Sequence, residues 1–235
     1  MYSIDIVKYG NPTIAQNKWL QSNFYTDYLF GQITRALHNG PQPNSSTKTI
    51  NELKYLCKAA PELQSSHQAD FRQRYKDYDA GLINCIKSLI VEVPDINHAE
   101  IITFIDNLLH DSLGLITKLK YHYQRPRPYQ LAVYFEGKDY ELYYHDSLSI
   151  DSPSYPSGHA FLGKVISFCL AQKYPEIDTY LMNNKNFRFN FFSLSKDFNN
   201  SRIHMGVHFP SDVAAGEKFA DMLINFKPFQ EKNRI

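Results

Sequence analysis

Tyr155-Pro156-Ser157-Gly158-His159-Ala160-Phe161 leads straight into an apolar stripe at Phe161, Leu162, Val165, Ile166, Cys169 and Leu170. Pro156 and Gly158 mark a turn, Ser157 is a favoured N-cap residue, and the i, i+1, i+4, i+5 rhythm predicts a buried amphipathic helix beginning there. A helix start offers backbone N–H groups that lack intrahelical partners, together with a partial positive charge, so it favours anions. Gly158 lets a ligand approach the backbone closely, and His159 places a titratable ring beside it. Taken alone, the stretch fits a capped helix with an incidental histidine equally well.

The remaining composition narrows the field. With 235 residues, 43 % of them apolar, the chain suits one domain with a sizeable core. A formal net charge of +1 gives no footing for nucleic-acid binding. Cys57, Cys85 and Cys169 are far apart and set in apolar patterns, so they read as buried free thiols and not as a disulfide framework or zinc site. Met1 to Gly10 is interrupted by Asp5 and Lys8 and does not read as a signal peptide, which points to a cytoplasmic location. No run reaches the roughly 18 apolar residues of a membrane span.

Helical periods recur along the chain. Trp19, Leu20, Phe24, Tyr28, Ile33 and Leu37 suggest one or two helices between Ile14 and Leu37. Thr49 and Glu52 have capping-box spacing ahead of Ile50, Leu53, Leu56 and Cys57, and Ala60-Pro61 is expected to break that helix. Residues 62–79 are mostly polar, so a helix there is exposed or pairs with a partner; Leu82, Ile83, Ile86, Leu89 and Ile90 mark a buried one. A long helix follows from His98 to Tyr123 with a stripe at Ile102, Ile105, Leu109, Leu113 and Ile116 that Lys120 continues. A lysine on a buried face is costly unless it meets an anion. Lys118 is expected to face solvent. Residues 131–156 suggest a loop with a short hairpin, Val133-Tyr134-Phe135 against Leu142-Tyr143-Tyr144, that serves as a pocket wall or as a plain connection. Residues 175–192 look irregular, and a last helix starts near Ser211.

His204, His208 and Asp212 stand at i, i+4, i+8, which on one helix could hold a metal. Pro210 disfavours helical backbone at Phe209, so His208 is expected before the helix, with Asp212 in its first turn. Asp212 could then orient the His208 ring and leave its other nitrogen as a nucleophile, while Arg202 adds an anion clamp.

Lys120-x6-Arg127-Pro128, Pro156-Ser157-Gly158-His159 and Ser201-Arg202-x5-His208-x3-Asp212 resemble, in order, the three motifs of the type 2 phosphatidic acid phosphatase superfamily. Its members include soluble class A acid phosphatases, lipid phosphatases and vanadium haloperoxidases. Lys120-x-x-Tyr123-x-Arg125-x-Arg127-Pro128 looks most like the class A enzymes, and Gly206-Val207-His208-Phe209-Pro210-Ser211-Asp212 is nearer the lipid-phosphatase branch. Lys118-x6-Arg125-Pro126 also fits the short pattern, but the apolar stripe and the wider string favour Lys120 with Arg127. The resemblance implies an all-α compact bundle of the phosphatase/haloperoxidase type, with an irregular loop before the Ser-Gly-His motif. It is expected as one domain over 1–235, in which residues 1–95 form a helical N-terminal region of unassigned role, and residues 175–195 read as an insertion. It further implies a metal-independent phosphate monoester hydrolase. By that likeness His208 is the nucleophile, Asp212 its orienting partner and His159 the general acid. Lys120, Arg127, Ser157, Gly158 and Arg202 hold the phosphate. No cofactor and no metal are implied; vanadate would enter only if the same anion pocket served a haloperoxidase. A non-catalytic phosphate-binding protein is the third reading. The expected partners are a small phosphorylated substrate and a second copy in a homodimer, with no nucleic acid and no membrane span.

Overall fold

A computed structural model describes the chain except residues 1–2, 14–16, 18–19, 21–23, 37–38, 66–68 and 143–149. Among the described residues all regular structure is helical. The order is α1 (Phe24–Arg35), α2 (Thr47–Ser65), α3 (Ala69–Val91), α4 (His98–Tyr123), the short α5 (Pro128–Ala132), α6 (Gly158–Lys173), α7 (Pro175–Asn183), α8 (Phe191–His204), α9 (Pro210–Ile224) and α10 (Lys227–Asn233). Short 3-10 turns lie at Ile4–Ile6 and Lys138–Tyr140. This is the all-α bundle that the family resemblance implies and with which the helical periods agree. No helix among the described residues is long and apolar enough to cross a membrane.

The bundle is built around α6, which packs chiefly on α8 and α9 and more lightly on α4 and α7. Phe161, Val165, Ile166, Cys169 and Leu170 on α6 are fully enclosed. Two glycines permit the closest approaches. A Cβ at Gly163 would stand 2.9 Å from Cδ2 of Phe198 on α8. A Cβ at Gly216 on α9 would stand 2.6 Å from the Ser157 carbonyl oxygen and 3.0 Å from Cβ of Ala160. Gly216 therefore lets α9 lie against the first turn of α6, where the Ser157 N–H donates to the Asp212 carbonyl at 2.9 Å. A second, smaller core cluster joins Leu53, Leu56 and Cys57 of α2 to Leu131, Ala132 and Phe209.

Several local expectations change. The buried side of α4 comprises Ile101, Phe104, Ile105, Leu108, Leu115, Ile116, Leu119 and Lys120, a wider arc than the predicted stripe, with Ile102, Leu109 and Leu113 at its edge. The breadth follows from α4 having α1, α3 and α6 as neighbours. Helix α2 runs through Ala60-Pro61 to Ser65; the proline removes one backbone hydrogen bond from a helix already anchored by Leu53 and Leu56. Residues 175–183 are not irregular but form α7, started by Pro175, favoured by Glu176 and Asp178 in its first turn, and buried only through Ile177 and Leu181. Two apolar positions give too weak a period to read. No hairpin occurs among the described residues: Val133 and Tyr134 form an exposed turn after α5, and Phe135 stacks on Tyr140 with ring centroids 4.7 Å apart. Tyr143 and Tyr144 lie outside the described residues, as do Ile14, Trp19 and Leu37. Cys57 and Cys169 are buried, but Cys85 is only half-buried.

Gly216→Ala gains helix propensity but drives a methyl group into a backbone carbonyl, so a net destabilisation of about 1–2 kcal/mol is expected. Urea unfolding measures it, and an unchanged or raised midpoint would contradict the close-approach argument.

Candidate active site

The long helix α4 delivers the first charged group. Lys120, buried in its last turn, donates from Nζ to the Pro153 carbonyl at 2.5 Å. Lys118 does not point freely to solvent; it pairs with Asp27 of α1. Gln124 then turns into the left-handed region at φ 50° and ends the helix. The two X-Pro steps that follow favour extended backbone, in which residues two apart share a face. Arg125 and Arg127 accordingly both reach the segment 207–212. Arg127 Nη1 donates to the Val207 carbonyl and to Nε2 of His208, each at 2.9 Å, and its Nε donates to the Ser152 carbonyl at 2.9 Å. Arg125 Nη1 donates to Asp212 Oδ1 at 2.6 Å and to the Ser211 hydroxyl at 2.8 Å.

His208 lies before α9 and Asp212 in its first turn. A guanidinium has donors and no acceptor, so His208 Nε2 must be the accepting nitrogen opposite Arg127. The ring proton therefore sits on Nδ1, which faces Asp212 Oδ2 and the Ser154 hydroxyl, each at 3.5 Å. Asp212 Oδ2 also accepts from Ser154 Oγ at 2.5 Å and from the Phe209 N–H at 2.9 Å. Its carboxylate is fully buried and fully engaged. The result is an imidazole with a fixed tautomer and a lone pair held on Nε2.

A cleft of about 310 Å³ opens onto this unit. Lys120, Arg127, Gly158, His159 and His208 line it, together with Asp79 and a wall of Gly81, Leu82, Ile83 and Asn84 from α3. Three expected site residues stand elsewhere. Ser157 is enclosed as the N-cap of α6, its Oγ accepting from the Ala160 N–H at 3.4 Å. Asp212 sits behind His208. Arg202 is fully buried and donates to Asp79 Oδ1 at 2.9 Å and to Met205 Sδ at 3.7 Å. His159 is half-buried, with Nε2 3.1 Å from the Tyr78 carbonyl of α3. His204 does not join His208; its Nδ1 lies 3.1 Å from the Tyr75 hydroxyl. Among the described residues no three His, Cys, Asp or Glu side chains are grouped to hold a metal.

The sequence reading missed Arg125, Ser154 and Asp79 as members of this network. It also misread Thr49 and Glu52. Ser46 caps the start of α2 through the Thr49 N–H at 3.2 Å, whereas the Thr49 hydroxyl accepts from Arg125 at 3.2 Å. Glu52 accepts from the Ser211 hydroxyl at 2.6 Å and from its N–H at 3.1 Å. These contacts cross long stretches of chain, and only the doubled Arg-Pro step of Arg125 left a local trace.

Burial, then Arg127, push the His208 pKa well below its ordinary value, so the ring is neutral near pH 7. Burial raises the Asp212 carboxyl, but Arg125, His208 and Ser154 more than reverse this and leave it well below the usual carboxylate range. Lys120 is depressed by burial and then by Arg127, and Arg127 falls to about 10 through burial and then Arg202. His159 is lowered by burial first and then by Arg202. The cleft thus concentrates cationic groups that repel one another, an arrangement that an anion relieves.

The model of the PAP2 superfamily matches residues 102–224, a span that carries all three motifs. No curated protein matches the chain. Among solved structures, a transmembrane PAP2 type phosphatidylglycerolphosphate phosphatase from Bacillus subtilis is similar over 88 % of this chain and 95 % of its own, at 19 % identity and a TM-score of 0.47. With the family match covering more than half of the sequence, the chain belongs to the PAP2 superfamily.

Proposed function

We propose that the chain is a metal-independent, acid phosphatase-like phosphate monoester hydrolase that works through a phosphohistidine on His208. The observation that carries this reading is the setting of the His208 ring: Nδ1 lies 3.5 Å from Asp212 Oδ2 and Nε2 lies 2.9 Å from Arg127 Nη1 beside the cleft, which assigns the proton to Nδ1 and the lone pair to Nε2. In the reaction, Nε2 attacks phosphorus and the bond to the leaving oxygen breaks. His159 gives that oxygen a proton. Water then attacks the phosphohistidine, His159 takes its proton, and inorganic phosphate leaves with His208 restored.

The charge balance supports it. A monoester carries nearly two negative charges, and Lys120 and Arg127 stand in the cleft where charge spreads over the equatorial oxygens. They supply the neutralisation that a metal would otherwise provide. The anion also opposes the effect of Arg202 on His159, so a substrate that arrives as the monoanion brings the proton the acid needs. Beyond the phosphate, Leu82, Ile83 and Leu162 offer an apolar seat for the leaving group.

Hydrolysis of p-nitrophenyl phosphate by the purified protein should vanish in His208→Ala with the fold intact, be inhibited competitively by vanadate, and survive EDTA. Turnover retained in the variant, or lost in EDTA and restored by a divalent ion, would overturn the mechanism. Lys120→Met should cost about 2–4 kcal/mol in kcat/KM, as loss of one oxyanion donor does. Lys118→Met removes the pair with Asp27, costs up to about 1 kcal/mol of stability and leaves kcat/KM unchanged. A larger kinetic loss at Lys118 would show the register to be wrong.

A further inference from the structure

Helix α3 lies wholly outside the region matched to the family, yet it reaches two of the groups assigned above to phosphate chemistry. It is kinked at Gly81, whose φ of −178° and ψ of 76° are not helical. The Tyr78 carbonyl, which in an unbroken helix would accept from Leu82, instead meets His159 Nε2 at 3.1 Å. The next residue, Asp79, accepts from Arg202 at 2.9 Å. Asp79 is among the residues lining the cleft, and the fully buried Arg202 is not. Two neighbouring acceptors on α3 thus engage the donors that an anion would use: one on the acid ring, one on the buried arginine.

Resting on the phosphatase reading, we propose that Asp79 is an affinity-setting residue that competes with the phosphoryl group for Arg202. The Asp79 carboxylate occupies Arg202 Nη1, and an anion that takes this donor displaces it. The consequence is weaker retention of inorganic phosphate, which favours release of product, at a cost in ground-state binding.

Isothermal titration with inorganic phosphate tests this. Asp79→Asn should bind phosphate about tenfold more tightly than the wild type, because the carboxylate that competes for Arg202 is neutralised. The gain should disappear when Arg202→Met is added to both proteins. Since Asp79→Asn removes a buried carboxylate that Arg202 donates to and could impair folding, hydrogen exchange on the wild-type protein provides a second measurement: saturating phosphate should speed exchange at residues 79–84. Equal or weaker phosphate binding by a folded Asp79→Asn, or slower or unchanged exchange at 79–84, overturns the inference while leaving the phosphate site standing. Absence of phosphate binding in both proteins removes the phosphatase reading and this inference together.

Discussion

A buried carboxylate held between an arginine and a histidine is the constraint on which the architecture turns. Asp212 has no solvent exposure, and Arg125 and His208 have almost none. Taking such charges out of water costs several kcal/mol per ion, and only near-complete hydrogen bonding returns it. Asp212 obtains that from Arg125, Ser154 and the Phe209 N–H. Each donor comes from a different part of the chain: the end of α4, the loop before α6 and the start of α9. Satisfying this one carboxylate therefore fixes how three segments meet, and the meeting point is the wall of the cleft.

The N-terminal third gains a role from the same network. Thr49 and Glu52 on α2 engage Arg125 and Ser211, so α2 braces the back of the His208–Asp212 unit. The guanidinium of Arg125 also lies over the Phe209 ring, 4.0 Å from its centroid. Helix α3 closes the opposite side through Tyr78 and Asp79. Leu29, Ile33, Tyr75, Leu82 and Ile86 enter the same core cluster as α6 and α9, so these helices contribute to the packing that holds the cleft open.

Much of this was legible from local pattern. The N-cap at Ser157, the buried face carrying Lys120, and the positions of His208 and Asp212 around Pro210 all follow from helical period and proline geometry, and the structure reproduces them. The illegible parts share one physical origin. Asp79 meets Arg202 across 123 positions and Ser154 meets Asp212 across 58, and no periodicity encodes such pairings. Thr49 and Glu52 had the spacing of a capping box, but a side chain that can cap can equally hydrogen-bond a distant arginine, and burial decided in favour of the latter. Helix α7 escaped because two buried residues suffice to dock it.

In the proposed mechanism, the tautomer set by Arg127 at Nε2 and Asp212 at Nδ1 makes His208 Nε2 the atom that bonds to phosphorus. Rapid alkaline quench of the wild-type protein during turnover, followed by peptide mass spectrometry, reads this directly. A phosphoryl adduct on the peptide carrying His208 is expected during turnover and should be gone after substrate is exhausted. An adduct on His159, or none at any quench time while phosphate is being released, would contradict it.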